Sequence, residues 1–319
     1  MTTLGYHASH EQFAPSALLE YVRLADHHGF SEVLASDHFH PWSQTQGESG
    51  HVWSWLGSAL AVTDLTYGTV NAPGYRYHPA IIAQAAATLR ELYPERFWLA
   101  VGSGQRLNEA ITGTHWPPKA ERNGRLEECV EVMRRLWDGE TVSHHGRITL
   151  EEATLYTRPE TPPPVVGAAQ STATARWLGE WADGMITVGS PDTAAVAERI
   201  EAFRAVAADK PVSLKLEVAY DPDETLAREQ AADQWLSNCL PGPITQELRR
   251  PEQYGALAEQ LAVDEITDHV LVSSEPERYV EWLNELIALD VQKLFVHNVT
   301  PKQTQFIETF GEAVLPNVA

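Results

Sequence analysis

Ser36-Asp37-His38-Phe39-His40-Pro41-Trp42 places one carboxyl, two imidazoles and an indole in seven residues. They follow a short apolar run, Val33-Leu34-Ala35, that reads as the second strand of the chain. A histidine at a strand end can move a proton near neutral pH. A tryptophan beside it can stack on a flat cofactor or close over a substrate. The competing reading is a polar turn in which backbone groups satisfy His38 and His40. Other groups able to transfer protons or make hydrogen bonds recur at the ends of the other apolar runs. They are His7, Ser9 and Glu11; Asn71 to Tyr77; Gly102 to Asn108; Ala168 to Ser171; Val188 to Ser190; and His297-Asn298.

The elements that must bring these groups together alternate from start to finish. Strand-like runs fall at residues 4–7, 33–35, 65–70, 96–101, 165–169, 184–188, 212–219 and 293–297. Between them lie segments with helical spacing, such as Leu18, Leu19, Val22 and Ala25. Pro79 opens another helix at a position where its missing N–H costs nothing. Eight such units predict either a doubly wound sheet or a closed barrel. The glycine-rich dinucleotide fingerprint expected after the first strand of a doubly wound fold is absent, since Gly5-Tyr6-His7-Ala8-Ser9-His10 has one glycine. The expected fold is therefore a (β/α)8 TIM barrel, one domain over residues 1–319, with insertions at about 141–158 and 221–263. In a barrel of this kind the C-terminal strand ends form the catalytic rim.

The bulk properties exclude several functions. The chain has 319 residues, 43% of them apolar, and a formal net charge of −21 from 44 acidic and 23 basic residues. That charge argues against nucleic acid or an anionic membrane as a partner. No apolar run reaches the length of a membrane span, and no signal peptide is read at the N-terminus, so a cytoplasmic location is the default expectation. Cys129 and Cys239 lie far apart, and no CxxC or His/Cys metal spacing occurs; neither a disulfide nor a metal site is expected. The glycines of Gly102-Ser103-Gly104 can let backbone approach a ligand closely, or simply form a tight βα turn. Gly189-Ser190-Pro191-Asp192-Thr193 precedes a helix whose N–H groups can hold a phosphate. Simple capping by Asp192 or Ser190 is the slightly favoured alternative there.

Four segments together resemble the luciferase-like flavin and deazaflavin oxidoreductases. They are Gly5 to Phe13, Ser36 to Trp42, Tyr77-His78-Pro79-Ala80-Ile81-Ile82-Ala83-Gln84, and Gly102-Ser103-Gly104-Gln105-Arg106-Leu107-Asn108-Glu109. The resemblance is nearest to the glucose-6-phosphate dehydrogenases that use the deazaflavin coenzyme F420. It implies a TIM barrel, a flavin-like cofactor at the strand C-terminal ends, a small-molecule substrate and a homodimer. It also implies roles for individual residues. His38 matches a base that takes the substrate hydroxyl proton, Trp42 an aromatic that helps hold the reacting intermediate, and Glu11 an active-site carboxylate. Asp37, Asn108, Ala168 and Ala169 match cofactor contacts, to which Ala72, Gln170, Gly189 and Ser190 are added. Val70-Asn71 aligns with a non-prolyl cis peptide that supports the cofactor ring.

The departures from that pattern shape the expectation further. Gln105 stands where the family has a glutamate proposed as general acid, and an amide has no ionisable proton to give. Pro191, Thr245 and His269 stand where the sugar-phosphate dehydrogenases hold phosphate with three fixed cations. Loss of those charge-assisted contacts argues against glucose 6-phosphate as substrate. Gln170-Ser171 replaces a Gly-Gly that lines the cofactor tail, and Asn71-Ala72-Pro73-Gly74 is one residue shorter than its counterpart. With Leu155 to Pro163 these features are similar to a sister branch using an ordinary flavin. The resulting expectation is an FMN-dependent oxidoreductase or monooxygenase, with a flavin reductase as a candidate partner. The alternatives are an F420-dependent alcohol dehydrogenase and a non-catalytic flavin-binding protein that lost its acid.

Overall fold

The β-branched and aromatic runs do become strands. A computed structural model describes residues 2–319 and places eleven of them: β1 Thr3–Ala8, β2 Glu32–Ser36, β3 Thr66–Asn71, β4 Phe97–Val101, β5 Val142–His145, β6 Thr149–Ala153, β7 Val165–Ala169, β8 Gly184–Val188, β9 Val212–Tyr220, β10 Leu271–Ser273 and β11 Lys293–Asn298. Eight of them pair in parallel around a closed ring, in the order β1-β2-β3-β4-β7-β8-β9-β11 and back to β1. This is the expected (β/α)8 barrel. Helices lie between the strands, and the largest apolar cluster fills the space between strands and helices.

A second cluster sits inside the ring: Leu34, Trp98, Ala100, Val166, Ile186 and Phe295, with Val70 and Ala168 against it. Trp98 and Phe295 make up its bulk, with ring centroids 5.7 Å apart. Two strand glycines leave room for them. A Cβ on Gly68 would lie 2.1 Å from the Trp98 indole, and one on Gly5 would lie 2.4 Å from the Phe295 ring. Close approach, not turn geometry, is what these glycines provide.

The segments outside the alternation also form structure. Residues 141–158 hold the antiparallel β5–β6 hairpin. Residues 221–263 hold helices Glu224–Trp235, Gly242–Thr245 and Pro251–Ala258. One strand was not legible: β10 is three residues long, too short to show a period, and adds in parallel to the top of β9 at Val218–Tyr220. Cys129 and Cys239 are buried and free, and no described helix is long and apolar enough to cross a membrane.

Gly68→Ala should therefore destabilise the barrel by about 1–3 kcal/mol through overpacking. In denaturant titration, adding Trp98→Leu should recover part of that loss. If Gly68→Ala alone is neutral, the ring interior is not packed as described.

Candidate active site

β1 and β2 are neighbours in register, with Ala8 opposite Ala35, so the chain leaving β1 meets the chain leaving β2. Glu11 and His38 face one another there, with His38 Nε2 3.4 Å from Glu11 Oε1. The Glu11 carboxyl is 3% exposed and the His38 ring 13%. Ser36 donates a short hydrogen bond to Glu11 Oε2, and Ser9 Oγ donates to the same oxygen at 3.2 Å. Burial pushes the Glu11 carboxyl up, but the His38 ring and the Ser36 hydroxyl outweigh it and hold it below its ordinary value. Burial likewise lowers His38; Arg76 adds to that, while Glu11 and Asp37 pull the other way. At pH 7 the pair is an ionised carboxylate facing a neutral imidazole. That is a base ready to accept a proton, with a counter-charge in place for the imidazolium.

The loop carrying His38 is fastened from the β4 side. Asn108 Oδ1 accepts the amides of Phe39 at 2.9 Å and His40 at 3.2 Å. His40 Nδ1 lies 2.8 Å from the carbonyl of Leu107, so the polar-turn reading holds for His40. For His38 it holds in part: Nδ1 is hydrogen-bonded to the His40 carbonyl at 3.3 Å, while Nε2 faces the Glu11 carboxylate. Trp42 packs 4.8 Å from the His38 ring and edge-on to Tyr254 of the second insertion.

Asp37 looks the other way, into a second buried network. Asn71 Nδ2 donates to Asp37 Oδ2 at 2.6 Å, and Tyr77 OH donates to Oδ1 at 3.2 Å. The Arg76 guanidinium lies between Asp37, at 3.2 Å, and Glu109, at 3.6 Å. Burial raises Glu109 to about 7 against the pull of Arg76. Arg76 and Glu109 complete this buried network, and neither was singled out from sequence. The available signal was an arginine and a glutamate inside two motif segments already chosen.

The other expected residues divide. Val70 and Asn71 end β3, and the peptide joining them is trans, as is every other described peptide. The cis bond implied by resemblance is corrected: a trans β3 continues to pair with β4 as far as Asn71–Val101, and the Asn71 carbonyl accepts the Gly102 amide at 2.9 Å. Gln105 precedes the helix Arg106–Glu109 as its N-cap residue and makes no side-chain cap hydrogen bond. Ala72 and Ala168 approach the Gly102–Gly104 turn, where a Cβ on Gly104 would lie 3.4 Å from Ala72 and one on Gly102 3.8 Å from Ala168. Ala169 is buried and Gln170 exposed at the end of β7. Gly189 donates to the Lys215 carbonyl at 2.7 Å, and Asp192 caps the following helix through Ala194 and Ala195, with Ser190 Oγ on the Asp192 carbonyl. Capping is thus the observed use of that turn. Thr245 is half-buried, and its carbonyl takes the Tyr254 hydroxyl; His269 is exposed and makes no hydrogen bond or ion pair to the His38–Glu11 cluster.

A flat heterocycle fits this rim. Gly102, Gly104, Ala72 and Ala168 leave small side chains along one wall. Asn71 Oδ1 is buried at the end of β3 with no partner, an acceptor suited to a ring N–H.

The sequence profile of the luciferase-like monooxygenase family matches residues 1–292. The chain belongs to that family. It is 34% identical, over 98% of its length and 96% of the relative's, to an F420-dependent glucose-6-phosphate dehydrogenase of Microbacterium testaceum. It is 36% identical to the enzyme so named from Segniliparus rotundus, over 99% of this chain and 97% of that one. An F420-dependent secondary alcohol dehydrogenase, solved in complex with an F420-acetone adduct, superposes with a TM-score of 0.92 at 30% identity, covering 100% of this chain and 99% of that one. The F420-dependent tetrahydromethanopterin reductase of Methanopyrus kandleri shares the fold, with a TM-score of 0.79 at 19% identity. This luciferase-like chain is accordingly an oxidoreductase.

The same burial that prepares the site makes it acid-sensitive. His10, whose amide donates to Ser36 Oγ at 2.9 Å, is buried with both ring nitrogens unpartnered. Burial lowers it to about 4. The unfolded chain binds this proton near 6.5 and the folded chain near 4, so stability is full above 6.5 and falls as pH drops toward 4. The loss amounts to about 3 kcal/mol for this group. Denaturant titrations at pH 7.5 and 4.5 should show it, with a shallower pH dependence in His10→Phe. An identical slope in that variant would exclude His10 as a source.

Proposed function

We propose that this chain is an F420-dependent dehydrogenase of a small, uncharged secondary alcohol. The observation that carries the reading is the neutral His38 imidazole set against the ionised Glu11 carboxylate beside Trp42. The full-length likeness to the alcohol dehydrogenase supports it, as do the F420-dependent names of relatives at 34–36% identity. FMN, favoured from the sequence through Gln170-Ser171, becomes the second reading. The positions that would clamp a phosphate, Pro191, Thr245 and His269, offer no fixed cation. A non-catalytic role is set aside because the base and its counter-charge are both retained.

In this reading the cofactor, when bound, supplies a hydride acceptor. Asn71, Ala72, Gly102 and Ala168 would hold its ring at the barrel mouth. His38 would accept the proton from the substrate hydroxyl oxygen while hydride leaves the carbon that bears that oxygen. Glu11 steadies the resulting imidazolium, and Ser36 keeps Glu11 from taking that proton itself. Asn108 fixes the loop so that His38 does not drift. Trp42, backed by the buried Tyr254 ring, would wall the substrate side with apolar surface. The reverse reaction needs no acid at Gln105, because a protonated His38 returns the proton to the carbonyl oxygen.

Titration of the apo-protein with F420 and with FMN tests the cofactor, and turnover of isopropanol, 2-butanol and glucose 6-phosphate tests the substrate. The expected result is preferential F420 binding and turnover of the alcohols alone. Preferential FMN binding or sugar-phosphate turnover overturns the reading. For alcohol oxidation, kcat/KM should be full above pH 6.5 and fall at lower pH as His38 is protonated. His38→Ala should lose about two to four orders of magnitude in kcat. An activity limb well above pH 6.5 in the wild type would remove His38 from the role of base.

A further inference from the structure

Parallel register carries a group of polar side chains into the ring just above its apolar filling. Gly5 of β1 lies opposite Phe295 of β11, and Phe295 lies opposite Lys215 of β9. Phe295 is inside the ring, so Lys215 is as well, and alternate residues along each strand share its face. One step further toward the strand C-terminal ends come His7, His297 and Glu217. Glu217 is opposite His297 in register, and the His7 and His297 rings are 4.4 Å apart. Lys215 reaches up to this layer. Its ammonium donates to Glu217 Oε1 and lies 5.0 Å over the Trp235 ring, which stands edge-on to His297 at 4.6 Å. The four polar side chains therefore converge on one wall, formed by the neighbouring strands β1, β11 and β9. That wall borders the alcohol site. Trp235 belongs to the apolar cluster against which Trp42 packs, and Trp42 is 4.8 Å from the His38 ring. Against burial, His38, Ser36 and, more weakly, the Lys215 ammonium hold the Glu11 carboxyl down.

Several atoms of this wall are left without a partner. Glu217 is 6% exposed, and its Oε2 is buried with none. His297 Nε2 lies 2.8 Å from Gln12 Oε1, while Gln12 Nε2 donates to the Val299 carbonyl at 2.8 Å. The Gln12 amide oxygen is thus the acceptor, and the His297 proton sits on Nε2. Burial lowers His297 and His7 well below the ordinary histidine value, so both rings are neutral at pH 7. His297 Nδ1 is then a bare acceptor, again buried and unpartnered. Lys215 has three N–H groups and spends one on Glu217. A carboxylate or phosphate placed here would face Glu217, and an ammonium would face Lys215. A hydroxyl suits both, accepting from the ammonium and donating to a free acceptor. We propose that Lys215 and Glu217, with His297 beside them, form a hydroxyl subsite on the wall of the alcohol site, and that the substrate is a polyol. This rests on the dehydrogenase reading above and sharpens it. His38 acts on one hydroxyl, while the wall binds a second that the reaction leaves unchanged. A simple alcohol would leave buried polar groups unfilled, and that kind of loss discriminates strongly between substrates.

Matched alcohols that differ by one remote hydroxyl test it: 2-butanol against 1,3-butanediol, 2-pentanol against 1,4-pentanediol, and 2-hexanol against 1,5-hexanediol. Binding to the apo-protein is read by tryptophan fluorescence, and kcat/KM is read separately with F420. In wild type at least one diol should bind and turn over about tenfold or more better than its partner, as one charge-assisted hydrogen bond predicts. Lys215→Met/Glu217→Leu should shrink that ratio to within about threefold. Replacing a buried ion pair by apolar groups of similar volume often leaves stability intact, so this double variant should fold. Glu217→Gln, which keeps an acceptor, should show an intermediate ratio. No diol preference in wild type, an unchanged ratio in the double variant, or an equal loss for both members of a pair overturns the subsite; the dehydrogenase reading then stands as long as the alcohols are oxidised. Diol preference in binding with no alcohol turned over keeps the hydroxyl subsite and overturns the dehydrogenase reading. Far-ultraviolet circular dichroism of each variant separates loss of contact from loss of fold.

Discussion

Glu11 must stay negative in a place with almost no water, and the active rim is arranged around that demand. A carboxyl 3% exposed is driven toward its neutral form by desolvation. What keeps it ionised is local: two serine hydroxyls on one oxygen and an imidazole on the other. One serine, Ser36, is the last residue of β2 and also receives the amide of His10 from the loop after β1. Parallel pairing of β1 and β2 therefore sets the electrostatics directly. A register slip between them would move Ser36 off Glu11 and remove one of the groups that hold this buried acid ionised.

A second buried network lies on the other side of His38. Arg76 is a single cation between two buried carboxyls, Asp37 and Glu109, and it cannot fully satisfy both. Asp37 also has Asn71 and Tyr77 as donors; Glu109 has only the Arg76 side chain and amide. Burial pushes Glu109 up to about 7, and the single Arg76 guanidinium only partly opposes it. The network also ties three loops together, those after β2, β3 and β4, through one guanidinium. The segment carrying His38 is thereby held from both ends, by Asp37 on this network and by the Asn108 side chain beyond it.

The barrel and most of the rim were legible in the sequence because both leave periodic or compositional marks. Eight apolar runs between helical patterns are long enough to count, and polar groups at their ends stand out against them. His38, Glu11, Asp37 and Asn108 were found this way and are brought together. Partnership was harder to read. Nothing in the spacing of Ser36 says that its hydroxyl holds a carboxylate, or that Arg76 serves two acids. β10 escaped for lack of length. Thr245 and His269 were assigned to the substrate through the resemblance, and no described hydrogen bond or ion pair joins either to the His38–Glu11 cluster. The trans peptide at Val70–Asn71 shows that a resemblance can carry local geometry further than the chain itself does.

Cations have a definite distribution over this molecule, and it bears on what the active site can select. Near the rim, Arg76 is committed to Asp37 and Glu109, and Lys215 is committed to Glu217 and the face of Trp235. On the substrate side Trp42 connects two apolar clusters, one with Trp235, Cys239 and Ile266 and the other with Leu107, Leu240 and Tyr254. A phosphorylated substrate would have to bury a dianion against those walls, with Lys215 already paired. That is a desolvation cost no contact there offsets.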